Sequence, residues 1–151
     1  MSRDGSIKII TNSLNKSISY RDLLNQFEVF GWKYGVADYI MYLPLGDDDH
    51  FNWISVPKLE IEQVLFSVDQ KWIRGELMGI EIAWKETDIG VTILTDPEFK
   101  ELSFSADINR KTIEGIKGSL GITDFSWYIE RIVPVLLSLD LSIEVLQCVD
   151  G

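Results

Sequence analysis

The sequence is poor in the residues on which most enzyme chemistry rests. Among its 151 residues there is one histidine, His50, and one cysteine, Cys148. A lone cysteine excludes an intrachain disulfide and fits a reducing compartment. A Ser-His-Asp or Cys-His triad needs a base that accepts a proton near neutral pH. His50 is the only conventional base, and it directly follows Asp47-Asp48-Asp49. Carboxylates beside a histidine favour its charged form, which is a poor general base. A solvated loop histidine is therefore expected. Nothing beside Cys148 would lower the pKa of its thiol: its neighbours are Val149 and Asp150. It reads as a buried or edge-strand thiol.

Metal and phosphate signatures are absent as well. No CxxC, HxxxH or HExxH spacing occurs. Three consecutive aspartates do not reproduce a calcium loop, whose ligands alternate around a glycine and end in a bidentate glutamate. The bland reading of Asp47-Asp48-Asp49 is a solvated hairpin tip. Gly115, Gly118 and Gly121 match neither nucleotide fingerprint and lack a following lysine. Paired carboxylates could serve a glycosidase, but among 24 acidic residues a close pair arises by chance. No cofactor and no metal is expected, and the chain reads as a binding protein rather than an enzyme.

Positive charge is also scarce, with 14 basic against 24 acidic residues and a net charge of -10. Such a chain repels phosphate backbones and anionic lipid headgroups, so neither nucleic acid nor membrane is an expected partner. A partner steered by charge should be basic. The longest apolar stretch, Ile132 to Leu139, contains Pro134 and Ser138 and falls far short of the roughly 20 residues a membrane span needs. Met1 to Ile10 carries Arg3, Asp4 and Lys8 and does not read as a secretory signal. The Asn15-Lys16-Ser17 sequon is then a chance match, and a cytoplasmic location is expected.

What the chain does have is apolar content: 46% apolar and 11% aromatic residues, enough for one core in a single domain spanning 1–151. No repeat, low-complexity tract or linker interrupts it. Ile7, Ile9 and Ile10 suggest a short strand or a lead-in. Ser19 and Asp22 form a capping-box pattern before Leu23, Leu24, Phe27 and Phe30, with Gly31 as the stop, which predicts a helix over 19–30. Residues 39–45 and 51–56 read as two strands joined by the acidic loop, with Pro57 closing the second. Over 58–74, Ile61, Val64, Leu65, Val68 and Trp72 share one helical face while Phe66 and Ile73 do not. Helix is preferred there, with a strand over 62–68 as the alternative. Alternation at 78–84, 89–93 and 102–106 predicts three antiparallel strands. Residues 113–121, rich in glycine, read as loop or short strand. Thr123 or Asp124 caps a last helix, in which Pro134 predicts a kink or an early stop. Residues 143–149 suit a final strand. The fold class is α+β: an antiparallel sheet of five or six strands with two or three helices packed on it.

The acidity is uneven. Between Pro44 and Asp69 lie Asp47, Asp48, Asp49, Glu60, Glu62 and Asp69 against one lysine, Lys58, with Phe51 and Trp53 among them. Aromatic anchors with a charged rim characterise protein interfaces, so these eight acidic and aromatic residues form the candidate partner-binding set. The competing reading places Phe51 and Trp53 in the core and leaves the acids to solvation.

Three stretches, Gly79-Ile80-Glu81-Ile82-Ala83-Trp84-Lys85, Ile89-Gly90-Val91 and Thr123-Asp124-Phe125-Ser126-Trp127-Tyr128, resemble bacterial immunity proteins of contact-dependent growth inhibition and other polymorphic toxin systems. The resemblance covers about the last half of the chain and carries over no site residue. It implies a small, non-catalytic cytoplasmic protein that binds a cognate toxin domain. That toxin is frequently a basic nuclease, and binding blocks its active site or substrate surface. A small-molecule or peptide-binding module, with the ligand held between sheet and helices, is the alternative.

Overall fold

The computed structural model describes residues 5–12, 17–113 and 121–150. In chain order its elements are β1 (Gly5–Thr11), α1 (Tyr20–Val29), β2 (Trp32–Tyr34), β3 (Tyr39–Tyr42), β4 (Ile54–Pro57), a 3-10 turn (Lys58–Glu60), α2 (Ile61–Arg74), β5 (Met78–Trp84), β6 (Gly90–Thr95), β7 (Glu101–Ile108), α3 (Phe125–Ser138) and β8 (Ile143–Asp150). The architecture is α+β, as the pattern predicts. The sheet, however, has eight strands in the order β4-β3-β5-β6-β7-β1-β8, with β2 also paired to β5. Every pairing is antiparallel.

The strand count exceeds the expected five or six for a physical reason. β2 has three residues, too few to show an alternation, and its only pairing is Trp32, Lys33 and Tyr34 with Trp84, Ala83 and Ile82. β2 and β3 share one edge of β5. Tyr34 lies opposite Ile82 and Tyr42 opposite Ile80, so residues 35–38 leave the sheet and the chain returns to it with β3. Gly35 accommodates this departure at φ 73°, donating its N–H to the Glu81 carbonyl.

One face of the sheet carries the core. Ile7, Ile9, Met78, Ile80, Ile82, Val91, Ile93, Leu102 and Phe104 are buried there against Leu23, Leu24 and Phe27 of α1, Val64 and Val68 of α2, and Tyr128, Ile132 and Leu136 of α3. Helix α1 touches both α2 and α3. Its start is the predicted capping box, with Ser19 and Asp22 each accepting the other's backbone N–H. Helix α2 is confirmed over the strand alternative and ends on Gly75 at φ 74°. Asp124, not Thr123, accepts at the start of α3 through the Trp127 N–H. The early stop expected at Pro134 does not occur, because α3 runs on to Ser138 with Pro134 on its exposed side.

Two further expectations shift at their edges. The second strand of the acidic hairpin begins at Ile54 rather than Phe51, because Asp47 draws residues 50–52 into a loop. The reading of Gly115 and Gly118 falls outside the described residues. Among the described residues, no helix is long and apolar enough to cross a membrane.

Candidate functional site: the acidic segment and the outer face of the second helix

The acidic segment divides into two parts with different roles. Asp47 is not at a solvated tip: only 9% of it is exposed. Its carboxylate accepts the backbone N–H groups of His50 (2.9 Å), Phe51 (3.0 Å) and Asn52 (2.7 Å). Burial works to raise its pKa, but these three donors outweigh it and hold the carboxyl below its ordinary value. The Asp48 carboxylate accepts the Leu77 N–H at 2.7 Å, tying the loop to the entrance of β5. Both side chains are thus committed to folding the loop.

Beneath the loop lies Lys71, whose side chain is fully buried. Its ammonium donates to the Asp47 carbonyl at 2.8 Å and to Glu76 Oε1 at 3.2 Å. The same Glu76 oxygen accepts the Gly46 N–H at 2.8 Å, and the Glu76 carbonyl accepts the Tyr20 hydroxyl at 2.5 Å. A buried ammonium is tolerated only when paired and hydrogen-bonded in this way.

The remaining loop residues face outward or lie on the sheet. Asp49 and His50 are exposed and meet at 2.7 Å. One ligand atom from each of Asp47, Asp49 and His50 falls within 4.8 Å of the others. The Asp47 carboxylate in this cluster already accepts three N–H donors of its own loop. Phe51, at φ 55°, is 45% exposed. Trp53 covers Gly79 on the sheet face away from the helices, so closely that a Cβ at Gly79 would lie 2.3 Å from the indole.

Glu60, Glu62 and Asp69 belong to the second part, on the 3-10 turn and α2. Nine residues of helix, about 14 Å, separate Glu62 from Lys71 and the loop. Glu62 is exposed, and neither it nor Glu60 enters an ion pair among the described residues. Asp69 pairs with Arg21 of α1 at 2.9 Å.

The feature that sequence reasoning passed over lies between these acids. Leu59, Phe66 and Ile73 are 96%, 63% and 69% exposed. Phe66 and Ile73, seven residues apart, fall on one side of α2, and Leu59 precedes them on the 3-10 turn; the three form an exposed apolar ridge. Glu62 and Asp69 flank it at three or four residues' distance. The signal was present in the sequence as the two apolar residues that missed the buried face. Periodicity alone treats such residues as noise.

Elsewhere, three tryptophans pack edge to face: Trp32 on Trp84 at 5.4 Å, and each on Trp127 at 6.4 Å. The Arg131 guanidinium lies over Trp127 at 4.3 Å and Trp84 at 5.3 Å, fastening α3 to β5. Cys148 sits on edge strand β8, where burial raises its pKa. Compared with known proteins, the chain matches no family model, no curated protein and no solved structure.

Proposed function

We propose that this chain is an inhibitory binding protein of the bacterial immunity type, which neutralises a cognate basic toxin domain, such as a nuclease, by covering its active site or substrate surface. The observation that carries the proposal is the ridge Leu59–Phe66–Ile73, flanked by Glu60, Glu62 and Asp69, on a chain of net charge -10. Large apolar side chains held this far into solvent on α2 and the turn before it suit anchoring in a partner's pocket. The flanking acids and the overall charge supply steering and discrimination. In this reading the protein works in the cytoplasm, without a cofactor, and catalyses nothing itself.

Co-expression tests the reading. The chain should rescue cells from the toxin encoded by the gene immediately upstream and should co-purify with it. Association should slow as salt rises from about 0.01 M to 1 M, where the screening length falls from roughly 30 Å to 3 Å. Failure to rescue and to co-purify would end the proposal. A second reading, a ligand held between sheet and helices, has one observation in its favour, a cleft beside α1.

A further inference from the structure

The two ends of the sheet are unequal. At one end β4 offers four residues and closes on Pro57, which has no N–H to give. At the other, β8 offers eight, Ile143–Asp150, with neither proline nor lysine among them. Short length, proline and lysine are the devices by which natural sheets blunt a free edge, and β8 has none of them. A register shift at Ile10 and Thr11 disturbs only the start of β8. From Val145 to Asp150 its pairing with β1 is regular.

The pairing shows which backbone groups β8 leaves over. The Thr11 N–H donates to the Lys100 carbonyl at the entrance of β7. Successive residues of an antiparallel strand send their N–H and C=O to opposite sides. Ile9 and Ile7 therefore also bond to β7, and Ile10, Lys8 and Ser6 bond to β8. Their partners Val145, Gln147 and Val149 are thereby used. The backbone groups of Leu146 and Cys148 point away from β1 and meet no strand among the described residues. The side chains along this edge are apolar on both faces. Leu146 and Cys148 lie opposite the buried Ile9 and Ile7, on the helix side, and Val145 and Val149 lie on the other side. Val145, Leu146 and Val149 are 45%, 37% and 51% exposed.

Charge decides what such an edge accepts. From Ile132 to Gly151 the chain carries Asp140, Glu144 and Asp150 and no basic residue. Glu144 is exposed and enters no ion pair among the described residues. A second copy fits badly. Setting Leu146 against Cys148 of that copy, and so Val145 against Val149, also sets Glu144 against Asp150 at both ends, between chains of net charge -10. We propose that β8 docks an extended basic segment of a partner protein, which joins the sheet as a further strand. Its backbone bonds to Leu146 and Cys148, its apolar side chains cover Val145, Leu146 and Val149, and a lysine or arginine meets Glu144. This surface is separate from the ridge, because β4, at the opposite end of the sheet, is the strand that leads into α2. It stands whether or not the ridge binds a toxin.

The test titrates the full chain with the peptide acetyl-Lys-Arg-Val-Ile-Thr-Ile-Val-Lys-Lys-amide and follows amide NMR shifts. The peptide should shift amides of residues 143–150 with a Kd of about 100 μM or tighter. It should also slow amide exchange at Leu146 and Cys148. One control peptide is N-methylated through its Val-Ile-Thr-Ile-Val core, which keeps every side chain but removes the main-chain donors. Another replaces each basic residue with glutamate. Each control should bind at least about tenfold more weakly. Val145→Lys combined with Val149→Lys places charge at two exposed positions and, with circular dichroism unchanged, should weaken the basic peptide to a similar degree. No shift at residues 143–150 up to about 1 mM peptide, well beyond the expected Kd, overturns the proposal. Equal binding of either control peptide also overturns it. Shifts confined to residues 59–73 do so as well, and leave the ridge reading intact. A free chain that sediments as a dimer, and is split by the paired lysine variant, assigns the edge to a second copy and likewise overturns the proposal.

Discussion

Lys71 is the most exacting test of how the acidic loop is held. Replacing it with methionine keeps the aliphatic stem but removes the ammonium. The Asp47 carbonyl then loses its donor, and the Glu76 carboxylate, 14% exposed, loses its closest cation. Breaking a buried ion pair from one side typically costs about 3–5 kcal/mol. Here the loss is softened, because Glu76 keeps the Gly46 N–H at 2.8 Å and Arg74 at 3.8 Å. A cost of roughly 2–3 kcal/mol follows, seen as a Tm lowered by roughly 4–12 °C for a domain of this size. The second arm adds Glu76→Gln, which removes the stranded charge and leaves an oxygen for Gly46. If the Lys71 variant is destabilised by an uncompensated carboxylate, the double variant should be more stable than Lys71→Met alone, with a coupling of about 1 kcal/mol or more. Amide exchange at His50, Phe51 and Asn52 should quicken in Lys71→Met, since their acceptor Asp47 is anchored through its own carbonyl. Stability within about 0.5 kcal/mol of wild type, or strictly additive variants, would refute the reasoning.

Three other outcomes follow. Tyr20→Phe removes the O–H that meets the Glu76 carbonyl at 2.5 Å and should cost roughly 1–2 kcal/mol by urea denaturation. Glu81 has its pKa raised, by burial first and then by Asp107. Its charged form is therefore disfavoured in the fold. That penalty applies at neutral pH, shrinks as pH falls through the folded-state pKa, and vanishes below the ordinary value of 4.5. Glu81→Gln should accordingly raise Tm at pH 7 and lose the advantage towards pH 4, and a constant offset across that range would contradict the assignment. On the ridge, Leu59→Ser, Phe66→Ser and Ile73→Ser should each leave stability within about 0.5 kcal/mol. Against a captured toxin they should speed dissociation roughly tenfold or more, while Glu60→Gln with Glu62→Gln should mainly slow association.

Much of the fold is legible because its signals are local. The Ser19–Asp22 box, Gly31, Gly75 and Asp124 each act within one turn of helix, and β5, β6 and β7 alternate strictly enough to show a single apolar face. What escapes is non-local. β2 is a strand only because Trp84 and Ile82 offer it an edge. Phe51 looks like the start of a strand until the Asp47 carboxylate collects three N–H groups and bends the chain. Pro134 looks like a stop, yet α3 continues because Val135 and Leu136 bury themselves beyond it. Burial of that size offsets a missing backbone hydrogen bond.

The acids illustrate why composition alone misplaces a site. Asp47 and Glu62 contribute equally to a net charge of -10, and a distant basic partner would feel both. At contact they differ entirely. The Asp47 carboxylate is filled by its own loop, so a partner's lysine would have to displace three backbone donors to use it. The Glu62 carboxylate stands exposed near Phe66 and enters no ion pair among the described residues. Steering is thus a property of the whole charge, whereas recognition belongs to the acids the fold leaves unused. On this chain those acids lie beside apolar side chains that the core also leaves out. The convergence of unused charge with unused apolar surface on α2 gives its outer face, rather than the three consecutive aspartates, the stronger claim to a protein partner.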